Sequence, residues 1–133
     1  MVDAWTQLRA YDPDVIVVGP CGFGVERAVI DTQALWGRAP GEVTGGVATA
    51  AGNGSEIEGG LPGRWWEELR AVRAGEVYAL DANAYCARPG PRLVQGTALI
   101  AGVLHGPQLR EWLGPRLCPE DGWARVPPPN KLT

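Results

Sequence analysis

The stretch "GEVYALDANAYCARPGPRL", Gly75 to Leu93, decides how this chain is read. Val77-Tyr78-Ala79-Leu80 is a short apolar run of the kind that forms a buried strand. It stops abruptly in Asp81-Ala82-Asn83-Ala84-Tyr85, and Arg88-Pro89-Gly90-Pro91-Arg92 follows. A helix-like pattern then begins, with Pro91 at a position that suits a helix start. The same order occurs earlier. Val15-Ile16-Val17-Val18 runs into Gly19-Pro20-Cys21-Gly22-Phe23-Gly24, and then into a second helical pattern. Strand, loop and helix in this order define an α/β fold. In open α/β sheets, ligands sit beyond the carboxyl ends of the strands. These two loops are therefore the place to look for a small-molecule site.

Outward from these units, Trp5 to Ala10 reads as a short helix, and Asp12-Pro13 as the turn that launches the first strand. Val25, Val29 and Trp36 recur at helical spacing, while Glu26, Arg27, Asp31 and Gln33 stay off that stripe. Arg64 to Ala74 reads as a helix with Trp65, Leu69 and Val72 on one face. Arg64 and Glu68 form an i, i+4 pair within it, and Gly75 suits its end. After Pro91 the expected buried stripe is Leu93, Thr97, Ile100, Ala101 and Leu104, with Pro107 marking the stop. Gln108 to Leu113 adds a short turn. Pro127-Pro128-Pro129 makes the tail after Pro115 an extended or disordered segment. Gly41 to Gly63, rich in paired glycines and poor in large apolar residues, reads as a flexible insertion.

At 133 residues the chain is about one domain long. With 45% hydrophobic and 20% charged residues it falls in the globular range. The expected organisation is a strand–helix unit over 1–38, an insertion over 39–63, a helix–strand–helix unit over 64–113 and a Pro-rich tail over 114–133. A net charge of −3, with Lys131 the only lysine, does not supply the basic patch a nucleic-acid partner requires. No apolar run approaches the roughly 20 residues of a membrane span, and no signal peptide is visible. The compartment is left open. Three widely spaced cysteines, Cys21, Cys86 and Cys118, form neither a disulfide framework nor a zinc motif.

The chemistry of the two loops admits plain and functional readings. Gly22 and Gly24 precede a helix, but neither Gly-x-Gly-x-x-Gly nor Gly-Lys-Ser/Thr is present, so a strand-to-helix turn is the simpler account. Phe23 is either a packing anchor or a ligand platform. Asp81, Asn83, Tyr85 and Arg88 present a carboxylate, an amide, a phenol and a guanidinium, a set suited to the polar periphery of a ligand. Asp81 and Asn83 serve equally as turn caps. Cys21 and Cys86 both follow strands, so they are either inert small side chains or a thiol pair. His105, the only histidine, closes the third helix, far along the chain from both loops. No nucleophile–base pair and no metal set is visible, so an enzyme is not expected.

Two segments carry a family likeness. "DPDVIVVGPCGFGVERA" (Asp12 to Ala28) and "WEELRAVRAGEVYALDANAYCARPGPRLVQGTALIAGVLH" (Trp66 to His105) resemble the carboxyl-terminal lobe of substrate-binding proteins of bacterial ABC importers for cobalamin and ferric siderophores. The second segment is most similar to cobalamin-binding members. There a strand, an Asp-x-Asn-x-aromatic loop and an Arg-Pro-Gly-Pro-Arg-Leu helix start recur. The resemblance implies two α/β lobes joined by a rigid helix, with the ligand in the cleft between them. It implies capture and delivery to a transporter permease, in the periplasm or at the cell surface.

By position, Cys21, Gly22, Phe23, Asp81, Asn83, Ala84 and Tyr85 would face the cleft. Arg88 would brace the second loop or reach the ligand. The implied ligand is cobalamin, another corrinoid or a siderophore, and no cofactor or metal is required. The amino-terminal lobe and the linking helix have no counterpart here.

The expected object is a truncated half of a bilobal protein: a three-layer α/β/α lobe with a small, mainly parallel sheet. It would need a missing lobe or a second copy of itself to cover its edge. The alternative function is an orphan lobe acting as a protein-interaction or thiol-redox module.

Overall fold

The computed structural model describes residues 4–36, 65–88 and 90–128. The insertion expected over 39–63, and Arg64 with its pair to Glu68, lie outside them. Helix α1 (Ala4–Tyr11) leads to strand β1 (Ile16–Val18) and helix α2 (Val25–Gln33). Two short helices, α3 (Trp65–Glu68) and α4 (Arg70–Ala74), precede strand β2 (Val77–Leu80). Helices α5 (Ala82–Tyr85), α6 (Arg92–His105) and α7 (Pro107–Leu117) follow, then a 3₁₀ turn (Glu120–Gly122) and strand β3 (Trp123–Arg125). The fold is a small α/β fold.

The sheet order is β1-β2-β3. β1 and β2 are parallel, with Ile16 opposite Val77 and Val18 opposite Ala79. β2 and β3 are antiparallel, with Tyr78 opposite Arg125 and Leu80 opposite Trp123. All four residues of β2 are buried, as the continuous apolar run requires of a central strand.

Alternate residues of β2 enter different cores. Val77 and Ala79 pack with Ala28, Trp66, Leu69, Val72 and Val126, beneath α2 and α4. Leu80 packs with Leu99 and Cys118 on the other face, where Val17, Tyr85, Leu113 and Trp123 join it. Helices thus cover both faces of the sheet.

Four expectations change. First, the part of the tail from Gly114 to Arg125 is structured. Gly114, with φ of 69°, kinks α7, and Pro115 begins a new helical turn, where its missing N–H costs nothing. The chain then returns as β3, which makes the sheet mixed. Asp121-Gly122 followed by Trp123-Ala124-Arg125-Val126 is a turn and an alternating strand, a signal outweighed by the nearby prolines.

Second, the Arg64–Ala74 helix breaks at Leu69, whose ψ of 137° is extended. Leu69 thereby turns fully into the core, and Trp66 and Val72 are buried with it. Glu68 pairs with Arg9 of α1, at 2.6 Å. Third, the segment expected to be a short turn is the 11-residue α7.

Fourth, the buried side of α6 is Gly96, Ala98, Leu99, Gly102 and Val103. The expected stripe of Leu93, Thr97, Ile100 and Leu104 faces solvent, with Ala101 at its border. The reason is steric. A Cβ on Gly96 would stand 2.4 Å from the Tyr85 carbonyl oxygen, and one on Gly102 would stand 2.6 Å from Arg110 Cγ. The two glycines let the backbone of α6 approach its neighbours, which a side chain at either position would prevent.

Candidate functional site

Because β1 and β2 are parallel neighbours, the loops that follow them leave the sheet side by side. Contact begins at the first residue of the first loop. A Cβ built on Gly19 would lie 3.4 Å from Ala82 Cβ. The chain then turns: Phe23 N–H donates to the Pro20 carbonyl at 3.2 Å, with Gly22 at φ 84°. A left-handed residue at the third position is what a type II turn demands, so Gly22 is the permissive position. Gly24 is in extended backbone, and its carbonyl accepts the first α2 bond, from Ala28 N–H at 3.1 Å.

The second loop is tied at both ends. Asp81 N–H donates to the Gly122 carbonyl at 3.0 Å. Its Oδ1 accepts from Ala84 N–H at 2.8 Å and caps α5. The other carboxylate oxygen lies 3.8 Å from where a Gly24 Cβ would stand. Asp81 is therefore both a cap and the seam between the loops. Tyr85 N–H then donates to the Asp81 carbonyl at 3.1 Å.

The expected ligand residues divide by layer. Cys21, Gly22, Asn83 and Arg88 are exposed, while Phe23, Ala84 and Tyr85 are half-buried. Phe23 belongs to the α2 side of the rim: the Arg27 guanidinium lies 5.4 Å from its ring centroid. Arg27 is itself held by both carboxylate oxygens of Asp31, at 3.0 and 2.9 Å. Tyr85 belongs to the α6 side, packed against the Leu80, Leu99 and Cys118 cluster. Burial pushes its phenol above the usual range, and Asp121 adds to the rise. It remains a neutral O–H donor at physiological pH.

Cys21 and Cys86 are exposed and Cys118 is buried. All three cysteines are free. The Cys86 sulfur is turned toward α6, 3.5 Å from where a Gly96 Cβ would stand. Partial burial, with Asp81 adding to it, pushes this thiol up, and burial does the same for Cys118. A raised thiol is a poorer nucleophile at neutral pH.

Sequence reasoning missed Gly122. Its carbonyl holds Asp81, and its missing side chain leaves room for Leu99 and Tyr85, which would lie 2.8 and 3.0 Å from a Cβ there. A groove lies between α7 and β3. In it the Arg110 guanidinium stacks 4.7 Å from the Trp123 ring centroid and donates to the Gly102 carbonyl at 2.7 Å.

Among the described residues, no cluster of three or more His, Cys, Asp or Glu side chains is placed to hold a metal ion. None of their helices is long and apolar enough to cross a membrane. Compared with known proteins, the chain matches no family model, no curated protein and no solved structure.

Proposed function

We propose that this chain is a solute-binding module, similar to the substrate-binding component of a cobalamin or iron-siderophore ABC importer, with a corrinoid as its ligand. The observation that carries the reading is the in-register parallel pairing of β1 and β2. It brings Cys21-Gly22-Phe23 and Asp81-Asn83-Ala84-Tyr85 to one end of the sheet. Phe23 offers an aromatic face, Asn83 an amide and Arg88 a guanidinium, and Tyr85 keeps its phenolic proton. Such groups suit the amide-fringed periphery of a corrin ring. The proposed activity is capture rather than catalysis. One lobe covers one face of a ligand, so affinity depends on a partner lobe or permease to enclose the other.

Equilibrium dialysis against cyanocobalamin tests this reading. Saturable binding is expected, weakened at least about tenfold in Phe23→Ala and in Asn83→Ala, since each loses a direct contact. A Val94→Ala control, on the exposed part of α6, leaves binding unchanged. Absence of saturable binding, or binding indifferent to both rim substitutions, overturns it. Repeating the dialysis with a ferric hydroxamate separates the corrinoid from the siderophore class.

A further inference from the structure

Helix α6 is apolar all round. Between Leu93 and Leu104 its only polar side chains are Gln95 and Thr97, and no residue of that stretch is charged. A helix of that composition is ordinarily buried on every side. Here Leu93, Ile100 and Leu104 are 41%, 36% and 52% exposed. With Thr97 they form one straight solvent-facing seam, because the steps 93 to 97, 97 to 100 and 100 to 104 are four, three and four residues. That is the spacing of a helix–helix contact.

We propose that this seam is the contact surface of a two-fold homodimer, in which α6 packs antiparallel against α6 of a second copy. Two observations choose that occupant. The first is the spacing itself. Four-three-four reads the same in both directions, so an antiparallel copy sets Leu93 against Leu104 and Thr97 against Ile100, twice over. A self-complementary patch is what an isologous dimer requires.

The second is charge. The seam's N-terminal end is basic, with exposed Arg88 and Arg92. At its C-terminal end Leu104 shares a groove with Tyr11, Asp12, Asp14 and Arg70. Arg70 binds both carboxylates there, at 3.4 and 2.7 Å, and Arg73 also acts on Asp12; Asp14, its side chain 77% exposed, is the carboxylate that faces solvent. Antiparallel packing brings Arg88 and Arg92 of each copy toward the exposed Asp14 of the other, and it sets the two helix dipoles antiparallel.

Helix α6, 14 residues long, spans about 21 Å. A contact of that length belongs with weak, reversible interfaces below about 1,200 Å². The dimer should therefore form and dissociate across the micromolar range.

Sedimentation velocity on the full chain, with and without Ile100→Glu, is the first test. The unaltered protein should shift from monomer to dimer with concentration, and more weakly at high salt. Ile100→Glu should raise the dissociation constant about a hundredfold or more, because it would bury an unpaired carboxylate.

Cross-linking is the second test, and it holds even if that variant misfolds. In a Cys21→Ser, Cys86→Ser background, Leu93→Cys mixed with Leu104→Cys should oxidise to a covalent heterodimer. Leu93→Cys alone should not, since antiparallel packing separates the two copies of residue 93 by about 16 Å, beyond disulfide reach. A monomer at every concentration, a dimer unaffected by Ile100→Glu, or efficient self-cross-linking of Leu93→Cys would each overturn the proposal.

Discussion

Gly96 and Tyr85 meet backbone to backbone: a Cβ on the glycine would stand 2.4 Å from the tyrosine carbonyl oxygen. The second rim loop thus rests directly on α6, and its position is set by the absence of a side chain. Gly96→Ala should raise helix propensity by about 1 kcal/mol but force the loop and helix apart. Overpacking of this kind costs about 1–3 kcal/mol, and the obstacle is backbone rather than a flexible side-chain tip. A net loss of about 1–2 kcal/mol is expected in urea unfolding, accompanied by altered Tyr85 resonances. An unchanged or raised midpoint would contradict this geometry.

Asp81 caps α5 through Ala84 N–H and faces Gly24 across the seam. Asp81→Ala should cost about 1 kcal/mol, the usual loss for a cap. It should also speed amide exchange at Ala84 and Tyr85 ahead of the strands. Asp81→Asn, which can still accept from Ala84 N–H, should recover most of the stability. Equal loss in both variants would show that the cap is not what holds the loop.

The two faces of α6 make opposite predictions. Leu99 is fully buried between the sheet and Cys118, so Leu99→Ala should cost about 2–5 kcal/mol. Its neighbour Ile100 faces solvent, and Ile100→Ala, measured in dilute solution, should change stability by less than about 0.5 kcal/mol. Reversal of that order would restore the face that periodicity had suggested.

Acid stability should show the mark of Asp12. Arg70 N–H donates to its Oδ1 at 2.7 Å, and this bond, helped by the Arg70 side chain, holds the carboxyl below its ordinary value of 3.8. The folded state therefore favours the carboxylate. The contribution is complete above pH 4 and disappears as pH falls through the lowered value. Asp12 also adopts φ of 44°, which asparagine tolerates well. Asp12→Asn should flatten the pH dependence of the melting temperature below pH 4 while leaving the neutral-pH fold intact. A wild-type acid profile in that variant would exclude the link.

The legible part of this fold was local. Val77 to Leu80 is a strand in any surroundings that bury both its faces, and Gly75, at φ 73°, ends the preceding helix where a side chain would be strained. Both loops and the start of α6 near Pro91 follow from turn chemistry and proline stereochemistry. The side of α6 that is buried was not legible. A helix apolar all round has no moment to orient it, and Gly96 and Gly102 act by what they leave out.

What the amino-acid order determined alone was the alternation of helix, strand and helix on either side of the glycine-rich stretch, as far as the end of α6, because each of these depends on neighbours within a few residues. The tertiary structure decided the rest. It set the parallel register that joins the two loops, the antiparallel return of Trp123–Arg125, and the inward turn of Tyr85 against Gly122. It also left Leu93, Ile100 and Leu104 facing water. These are contacts between residues tens of positions apart or choices among equally apolar faces, and only close packing in three dimensions discriminates among them.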